Sequence, residues 1–363
     1  MSVSTSHPPL DLRTAEGMLS FVDGCEDRET WVSVGMALKS EYGDNAFTAW
    51  DSWSQAAANY SAPACRSSWK GFKSRAGGYT IGTLIKLAKD GGYRFDASDL
   101  PKVDPAEITR RRLERASRAA REQALRMNQV AHASTLAHQQ WKAALRTGSS
   151  PYAARKGIND PESCRFTPDG ALLVPMIRYD MPPELALKGL QTIHPDGAKK
   201  FTPGMEKAGS ACRLGPALAP LGEPVFICEG YATGMSLRMA LAQRFTVFVA
   251  FDAYNLPLVV ETIYQRFPAS PLVICADDDH ATLIKGLAHN TGRIQAQIAM
   301  DAVMEGKTGA KLVCRNYPVF KKETPRGPKD TDFNDLARLE GLPEVAAQLE
   351  LSLDIIRALK TYG

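Results

Sequence analysis

Strands and helices alternate in the hydrophobic pattern of the second half of the chain. From residue 224 onward, short apolar runs are followed by longer segments with helical periodicity. The predicted strands cover residues 225–228, 246–251, 272–276 and 311–314. The predicted helices cover about residues 233–243, 256–267 and 291–305. Such alternation is typical of a parallel sheet with helices on both faces, in which ligands bind at the carboxyl ends of the strands.

The first part of the chain has the period of helices rather than strands. Residues 11–92 contain four amphipathic segments, from which we predict a small all-α domain. Asp27 is expected to cap one helix, a second begins near Asp44, and the others span about residues 63–73 and 80–89. Four of the five tryptophans fall in this region, so we expect most of them to form an aromatic core.

A long polar helix and a short strand region separate these two parts. Residues 104–147 carry more Arg and Lys than Asp and Glu, which fits either a solvated connecting helix or a contact with nucleic acid. Residues 171–177 and 189–193 have the pattern of strands, and a turn follows at residues 194–197. The pattern therefore predicts a small mixed region ahead of the parallel sheet.

Composition narrows the class of protein without identifying it. The 363 residues are 44% hydrophobic and 23% charged, which is typical of a soluble protein of two or three domains. No apolar run approaches the roughly 20 residues that cross a bilayer. Residues 1–10 lack the features of a secretion signal, so we expect a cytoplasmic protein without a membrane partner. The seven cysteines form no C-x-x-C pair, so we expect buried free thiols and no zinc.

Acidic residues follow several of the apolar segments. Glu229 comes directly after one predicted strand, and Asp277 and Asp279 follow another. Asp332 and Asp335 lie farther along the chain, where they either join an acidic patch or cap a helix. A buried carboxylate is costly unless a positive charge compensates for it. Converging carboxylates therefore predict a site for Mg²⁺, which favours oxygen ligands and often binds phosphates.

Basic and aromatic residues are interleaved around Trp69. Arg66, Lys70 and Lys73 belong to this segment. Such a segment indicates either a surface that follows a phosphate backbone while bases stack on it, or a solvated basic loop beside a buried tryptophan. The sequence leaves both interpretations open.

Glycines and lysines near the acidic residues suggest contacts with phosphate. Gly230 and Gly234 are predicted to let the backbone approach a phosphate at a helix N-terminus. Lys199 and Lys200 follow the predicted turn, where they either bind a phosphate group or simply extend the turn. Phosphoryl transfer needs both kinds of contact, because charge develops on the phosphate oxygens.

These motifs resemble those of a known family. Residues 229–234, EGYATG, resemble the glutamate motif of the Toprim domain, and residues 276–279, ADDD, resemble its D-x-D motif. The resemblance to the Toprim part of primases from plasmids, phages and integrative elements extends over residues 197–201, 250–256 and 331–336, with residues 280–290 as an insertion. The segments that resemble the primase-associated helical domain PriCT-2 are residues 31–38, 50–54 and 79–84.

The resemblance implies a fold and a domain order. The fold class is α/β: a Toprim-type parallel sheet flanked by helices, preceded by a small α+β subdomain and an N-terminal all-α domain joined by a long basic helix. The divisions are a helical PriCT-2-like domain (1–100), a basic helical linker (101–147), an N-terminal subdomain of the primase catalytic core (148–222) and a Toprim domain with C-terminal helices (223–363).

The resemblance also implies roles for single residues. Asp277 and Asp279 would hold Mg²⁺ or Mn²⁺, and Glu229 would be a further ligand or the base for an attacking 3′-hydroxyl. Asp332, with Asp335, would complete the acidic patch as a ligand or organise its surroundings. The groups expected to hold the template backbone or the incoming triphosphate are Lys199, Lys200 and Arg213.

The leading functional hypothesis is a primase of a mobile element. It would synthesise short oligoribonucleotides on single-stranded DNA from NTPs, with a separate replicative helicase as a candidate partner. One alternative is a Toprim nuclease, which would use water as the nucleophile and need no NTPs. The other is a non-catalytic replication adaptor whose binding to nucleic acid is sensitive to salt. The sequence has no cysteine-rich zinc module, so selection of start sites is expected to depend on helpers.

Overall fold

Two compact units make up the chain, residues 1–126 and residues 127–363. The computed structural model describes residues 10–72, 78–94, 105–216, 222–284, 287–304 and 312–362. Within these ranges, no helix combines the length and the apolar character needed to cross a membrane. The predicted division into four regions stays a prediction.

The described residues of the first unit begin with five helices and a 3₁₀ turn. They are α1 (Leu12–Leu19), α2 (Arg28–Tyr42), the 3₁₀ turn (Gly43–Ala46), α3 (Phe47–Ser54), α4 (Ala62–Gly71) and α5 (Ile81–Asp90). The predicted cap is confirmed, because the Asp27 carboxylate accepts a hydrogen bond from the backbone N–H of Thr30 at 2.9 Å. Asp11 caps α1 in the same way through the N–H of Thr14. The starts of these two helices are thus set locally.

Packed aromatic rings hold these helices together. Trp50 is fully buried, with its ring centroid 4.5 Å from that of Trp31 and 5.4 Å from that of Trp69. Phe72 meets Trp50 edge-on at 5.3 Å. A Cβ atom at Gly35 would lie 2.5 Å from the Phe72 ring, so α2 needs glycine where it passes the rings. The predicted aromatic core is confirmed.

Burial of Trp69 corrects one interpretation of the basic segment. Only 5% of Trp69 is exposed, and its Nε1–H donates to Asp44 at 2.9 Å. Trp69 is therefore unavailable for stacking on a base. Arg66 and Lys70 are exposed residues on α4, next to a buried tryptophan. Lys73 lies outside the described residues.

The long polar helix predicted after the first domain is α6 (Pro105–Ala143). Within the first unit, Arg115 forms an ion pair with Glu41. Within the second unit, Ser134 donates to the backbone carbonyl of Leu187 at 2.7 Å. Each half of the helix therefore makes contacts within the unit to which it belongs.

The second unit begins with a small antiparallel sheet whose strands are neighbours in chain order. They are β1 (Arg165–Phe166), β2 (Leu172–Ile177), β3 (Leu187–Ile193) and β4 (Lys199–Phe201). Two short helices accompany them, α7 (Pro151–Arg155) and α8 (Pro183–Ala186). The predicted turn before β4 is present: the N–H of Gly197 donates to the carbonyl of His194 at 2.9 Å, and Gly197 has a positive φ of 97°. This turn places β4 beside β3.

A five-stranded sheet forms the centre of the second unit. Its strands are β5 (Cys212–Leu214), β6 (Val225–Cys228), β7 (Thr246–Val249), β8 (Leu272–Cys275) and β11 (Val313–Asn316), in the order β11-β8-β6-β7-β5. The edge strand β5 is antiparallel to β7, and the other four strands are parallel. The two remaining strands, β9 (Leu283–Ile284) and β10 (Leu287–Ala288), form a hairpin within the predicted insertion.

Helices cover both faces of the large sheet. They are α9 (Tyr231–Ala240), α10 (Leu256–Arg266), α11 (Thr291–Met304), α12 (Phe333–Glu340) and α13 (Leu342–Tyr362). Along β6, Phe226 and Cys228 face the core formed with α9, α12 and α13. Val225 and Ile227 face the core formed with α10 and α11. The alternation of buried side chains on both faces explains the unbroken apolar run, and the predicted fold class is confirmed.

One strand lies two residues later than predicted. The prediction placed the last strand at residues 311–314, whereas β11 ends at Asn316, which pairs with Cys275 of β8. The Asn316 side chain donates to the carbonyl of Gln348 at 3.0 Å and to the hydroxyl of Ser352 at 3.1 Å. A polar residue ends the strand because α13 supplies its partners, and the apolar pattern alone could not reveal them.

We expect Trp50→Ala to lower the free energy of unfolding of the first unit by about 3–5 kcal/mol, because it removes the central ring of the aromatic core. Urea denaturation of the full chain, followed by near-UV circular dichroism, measures this loss. Tyr79→Ala is the control, since Tyr79 is 40% exposed, and it should change the stability by at most about 0.5 kcal/mol. Equal losses in the two variants would contradict the assignment of the core.

Candidate active site

The register of two parallel strands brings Glu229 and Asp277 together. Cys228 at the end of β6 is opposite Cys275 at the end of β8. Glu229 follows Cys228 directly, and Asp277 lies two residues after Cys275, so both residues are at the same edge of the sheet. The backbone N–H of Asp277 donates to Oε1 of Glu229 at 3.3 Å. These two residues are called the acidic pair below.

Burial makes negative charge at the acidic pair costly. Glu229 is 7% exposed, and burial raises its pKa to about 7, with Asp279 and Asp332 adding to the rise. Burial also raises the pKa of Asp277 well above its usual value, as do the charges of Glu229 and Asp332. Oδ1 of Asp277 is buried and has no hydrogen-bond partner among the described residues. A bound cation would relieve both the repulsion and the missing contact.

The side chain of Asp279 contacts the first turn of α11. Its Oδ2 accepts a hydrogen bond from the backbone N–H of Gly292 at 3.0 Å. Its own N–H donates to Oδ1 of Asn290 at 3.1 Å. The carboxylate thus sits against the N-terminus of a helix, where negative charge is favoured.

Asp332 and Asp335 form a capping box at the start of α12. Oδ1 of Asp332 accepts from the N–H of Asp335 at 2.8 Å, and Oδ2 accepts from the hydroxyl of Thr233 at 2.9 Å. Oδ2 of Asp335 accepts from the N–H of Thr331 at 3.0 Å. The helix-capping alternative therefore describes both residues. Because both oxygens of Asp332 are engaged, its role as a direct ligand stays a prediction, and its position favours an organising role.

Two glycines have packing roles that the sequence did not reveal. A Cβ atom at Gly292 would lie 2.2 Å from the carbonyl oxygen of Asp277, so α11 can start this close to β8 only with glycine there. A Cβ atom at Gly234 would lie 2.9 Å from Leu214 and from Val249, because this residue faces the sheet. The prediction that Gly234 approaches a phosphate is therefore wrong; it allows close packing of α9 on the strands.

The predicted basic residues of the second unit lie on two edge strands. Lys199 and Lys200 are exposed residues on β4. Burial of its ammonium group nevertheless lowers the pKa of Lys199, and the charges of Asp332 and Asp277 oppose this shift. Arg213 lies on β5, where its guanidinium is 6.0 Å from the centre of the Tyr179 ring. Of these residues, the structure relates Lys199 most directly to the acidic site.

Lys156 is a further basic group that the sequence did not single out. Its Nζ lies 3.6 Å from Oδ1 of Asp335, and its backbone carbonyl accepts from Nδ2 of Asn334 at 2.8 Å. Asn334 also donates to the hydroxyl of Ser236 at 3.0 Å. The contacts of Lys156 with Asn334 and Asp335 join residues far apart along the chain, so the sequence carried no signal for them.

The donor set suits a hard divalent cation. In the described ranges, no three His, Cys, Asp or Glu side chains stand close enough together to hold a metal ion. The acidic pair nevertheless offers buried oxygen donors, one of them without a partner. Mg²⁺ usually keeps several waters and needs only one or two carboxylates together with substrate phosphates. The residues present therefore fit Mg²⁺ or Mn²⁺.

Family comparison assigns two domains to the chain. Residues 224–342, which include the four parallel strands of the large sheet and the acidic pair, match the Toprim domain. The second unit therefore contains a Toprim domain. Residues 16–88 match Primase C terminal 2, PriCT-2, so a PriCT-2 domain precedes the Toprim domain. Both resemblances found in the sequence are confirmed.

Similar curated proteins include two DNA primases TraC from Escherichia coli. One is 30% identical over 249 residues, which cover 68% of this chain and 23% of the relative. The other is 32% identical over 143 residues, which cover 39% of this chain and 9% of the relative. The chain thus spans less than a quarter of the length of either primase.

Solved structures give weaker similarities. The primase fragment of the bacteriophage T7 primase-helicase protein matches with a TM-score of 0.35 and 15% identity, over 51% of this chain and 66% of that one. The DnaG primase catalytic domain bound to single-stranded DNA matches with a TM-score of 0.34 and 14% identity, over 63% of this chain and 74% of that one.

We expect Gly292→Ala to destabilise the second unit by about 1–3 kcal/mol, because its methyl group would overlap the backbone of Asp277 and push α11 away. Urea denaturation of the full chain measures the change. Gly17→Ala in α1 is the control: nothing lies within 4 Å of the added Cβ, so the variant should be as stable as the wild type or more stable by up to about 1 kcal/mol. A Gly292→Ala protein of unchanged stability would contradict the packing described here.

Proposed function

We propose that this protein is a primase-type nucleotidyltransferase of a mobile element. It makes short RNA primers on single-stranded DNA from NTPs and releases pyrophosphate. The observation that carries the proposal is the buried acidic pair at the carboxyl ends of two neighbouring parallel strands, with one oxygen that has no hydrogen-bond partner in the described part of the chain. The presence of two primase-linked domains and the similarity to proteins named DNA primase TraC support it.

The carboxylates are assigned by their positions. Asp277 and Asp279 would hold Mg²⁺ or Mn²⁺, and Glu229 would be a further ligand or the acceptor of the proton from the attacking 3′-hydroxyl. When bound, the cation neutralises charge on the phosphate oxygens and aligns the attacking and leaving groups. Thr233 and the capping box keep Asp332 beside the acidic pair, because they hold both of its oxygens.

The basic residues are assigned to nucleotide and template. Burial lowers the pKa of Lys199 against the opposing charges of Asp332 and Asp277, and a lysine this near to the carboxylates suits a group that holds the triphosphate or the template backbone close to the cation. The second unit offers Lys200 and Arg213 for the same purpose. In the first unit, the exposed residues Arg66 and Lys70, with Lys73, would contact template phosphates rather than bases. A separate replicative helicase is a candidate partner.

De novo synthesis on circular single-stranded DNA tests the proposal. Purified protein receives labelled NTPs and Mg²⁺ or Mn²⁺, and Glu229→Gln is assayed in parallel. Short labelled products from the wild type alone would support the primase. Metal-dependent cutting of the circle without NTPs would instead identify a nuclease. Salt-sensitive binding without either reaction would identify an adaptor.

We expect Asp277→Asn to reduce primer synthesis by about 100-fold or more, because the lost charge removes several kcal/mol of transition-state stabilisation by the metal. Product formation per minute at saturating NTP measures the loss, and thermal unfolding verifies the fold. Asp301→Asn is the control, since Asp301 is an exposed residue of α11 that bonds to Gln297. Undiminished synthesis by Asp277→Asn would refute the site.

We expect the double variant Arg66→Gln with Lys70→Gln to bind single-stranded DNA with a weaker dependence on salt. Each lost phosphate contact should lower the slope of log K against log salt by about 0.7. Fluorescence anisotropy with a labelled oligonucleotide at several salt concentrations measures the slope. Lys86→Gln on α5 is the control for an exposed lysine of the same unit. An unchanged slope in the double variant would exclude α4 from the template path.

A further inference from the structure

Asp278 lies between two predicted metal ligands but has a different environment from either. Only 5% of the residue is exposed. Its Oδ1 accepts from Nδ2 of Asn290 and from Nε of Arg293, both at 2.7 Å, and its Oδ2 accepts from Nη2 of Arg326 at 3.0 Å. Both oxygens are therefore occupied by strong donors, two of them cationic. This carboxylate is neutralised by the protein itself.

The backbone of Asp278 is tied to the segment that leads to Asp332. Its N–H donates to the carbonyl of Thr331 at 2.8 Å, and its carbonyl accepts from Nη2 of Arg326 at 3.1 Å. Nε of Arg326 donates to the carbonyl of Asp330 at 2.8 Å. Arg326 therefore bonds both to Asp278 and to the segment that precedes Asp332. Asp332 follows Thr331 directly, so its position relative to the D-x-D motif depends on these bonds.

The same carboxylate is linked to the beginning of α11. Asn290, which donates to Asp278, accepts from the backbone N–H groups of Asp279 and Arg293, both at 3.1 Å. The Arg293 guanidinium lies 4.8 Å from the centre of the Tyr317 ring. The placement of Asp279 against the helix is therefore linked to the contacts of Asp278.

We infer that Asp278 is a positioning residue: with Arg293 and Arg326 it holds together the three segments that carry Asp277, the start of α11 and Asp332. The carboxylates of the site repel one another when they are charged, so a fixed connection stabilises the arrangement of these segments. Two arginines bonded to one buried carboxylate provide that connection. Partners of this kind typically change metal affinity by about 10–100-fold when removed. Only the expected effect on primer synthesis rests on the proposed function; the expected effect on metal affinity does not.

Binding of Mn²⁺ to the full chain, measured by electron paramagnetic resonance, tests the inference. The variants are Asp278→Asn and Arg326→Gln, with Arg326→Lys as the conservative change. Asp180→Asn is the matched control, because it breaks an Asp–Arg ion pair with Arg178 in the turn after β2. Thermal unfolding is measured for each protein, and primer synthesis is followed as Mn²⁺ is raised.

We expect Asp278→Asn and Arg326→Gln to bind Mn²⁺ at least about 10-fold more weakly than the wild type, and the Asp180→Asn control to bind as the wild type does. Arg326→Lys should recover part of the affinity. Raised Mn²⁺ should restore synthesis in Asp278→Asn but not in Asp277→Asn, because only the latter loses a ligand. If Asp278→Asn does not fold, the Mn²⁺ affinity of Arg326→Gln, which keeps the carboxylate, tests the inference.

Two results with the variants would overturn the inference. One is wild-type Mn²⁺ affinity in a folded Asp278→Asn or Arg326→Gln protein. The other is a loss in Asp278→Asn that raised Mn²⁺ cannot restore, which would make Asp278 a ligand itself. A wild type that binds Mn²⁺ but makes no primers would refute the proposed function, and the binding data would still decide the inference. A wild type without Mn²⁺ binding would refute both.

Discussion

Repulsion among carboxylates that parallel strands bring together is the constraint on which this site depends. β6 and β8 are paired in register, so Glu229 and Asp277 must share one edge of the sheet. Three helices begin near the acidic segments: α9 follows Glu229, α11 begins where Asp279 accepts a backbone N–H, and α12 is capped by Asp332. Helix N-termini carry partial positive charge, so their placement offsets part of the repulsion.

Residues of one chemical type have different tasks here because their surroundings differ. Asp277 has a buried oxygen without a described partner, whereas its neighbour Asp278 is bonded on both oxygens. Asp332 uses its oxygens to cap a helix and to accept from a threonine. Burial without a partner leaves a carboxylate that can bind a cation, and burial with arginines leaves one that can only hold structure.

The sequence was sufficient for the features that local patterns encode. Apolar runs located the central strands, and the Asp27 cap and the aromatic core followed from short-range signals. Features that depend on distant partners were missed. Gly292 is needed because of the backbone of Asp277, and Asp278 is bonded to Arg326, which lies 48 residues away along the chain. Such contacts leave no periodic trace in a single sequence, and the extent of β11 was hidden for the same reason.

The hairpin of β9 and β10 leaves the D-x-D motif and returns to α11 at a fixed point. Its base is closed by the N–H of His289, which donates to the carbonyl of Thr282, and by the bond between Asp279 and Asn290. These two hydrogen bonds therefore fix the points at which the hairpin leaves and rejoins the rest of the domain. Residues added between β9 and β10 should therefore leave the carboxylates of the site in place.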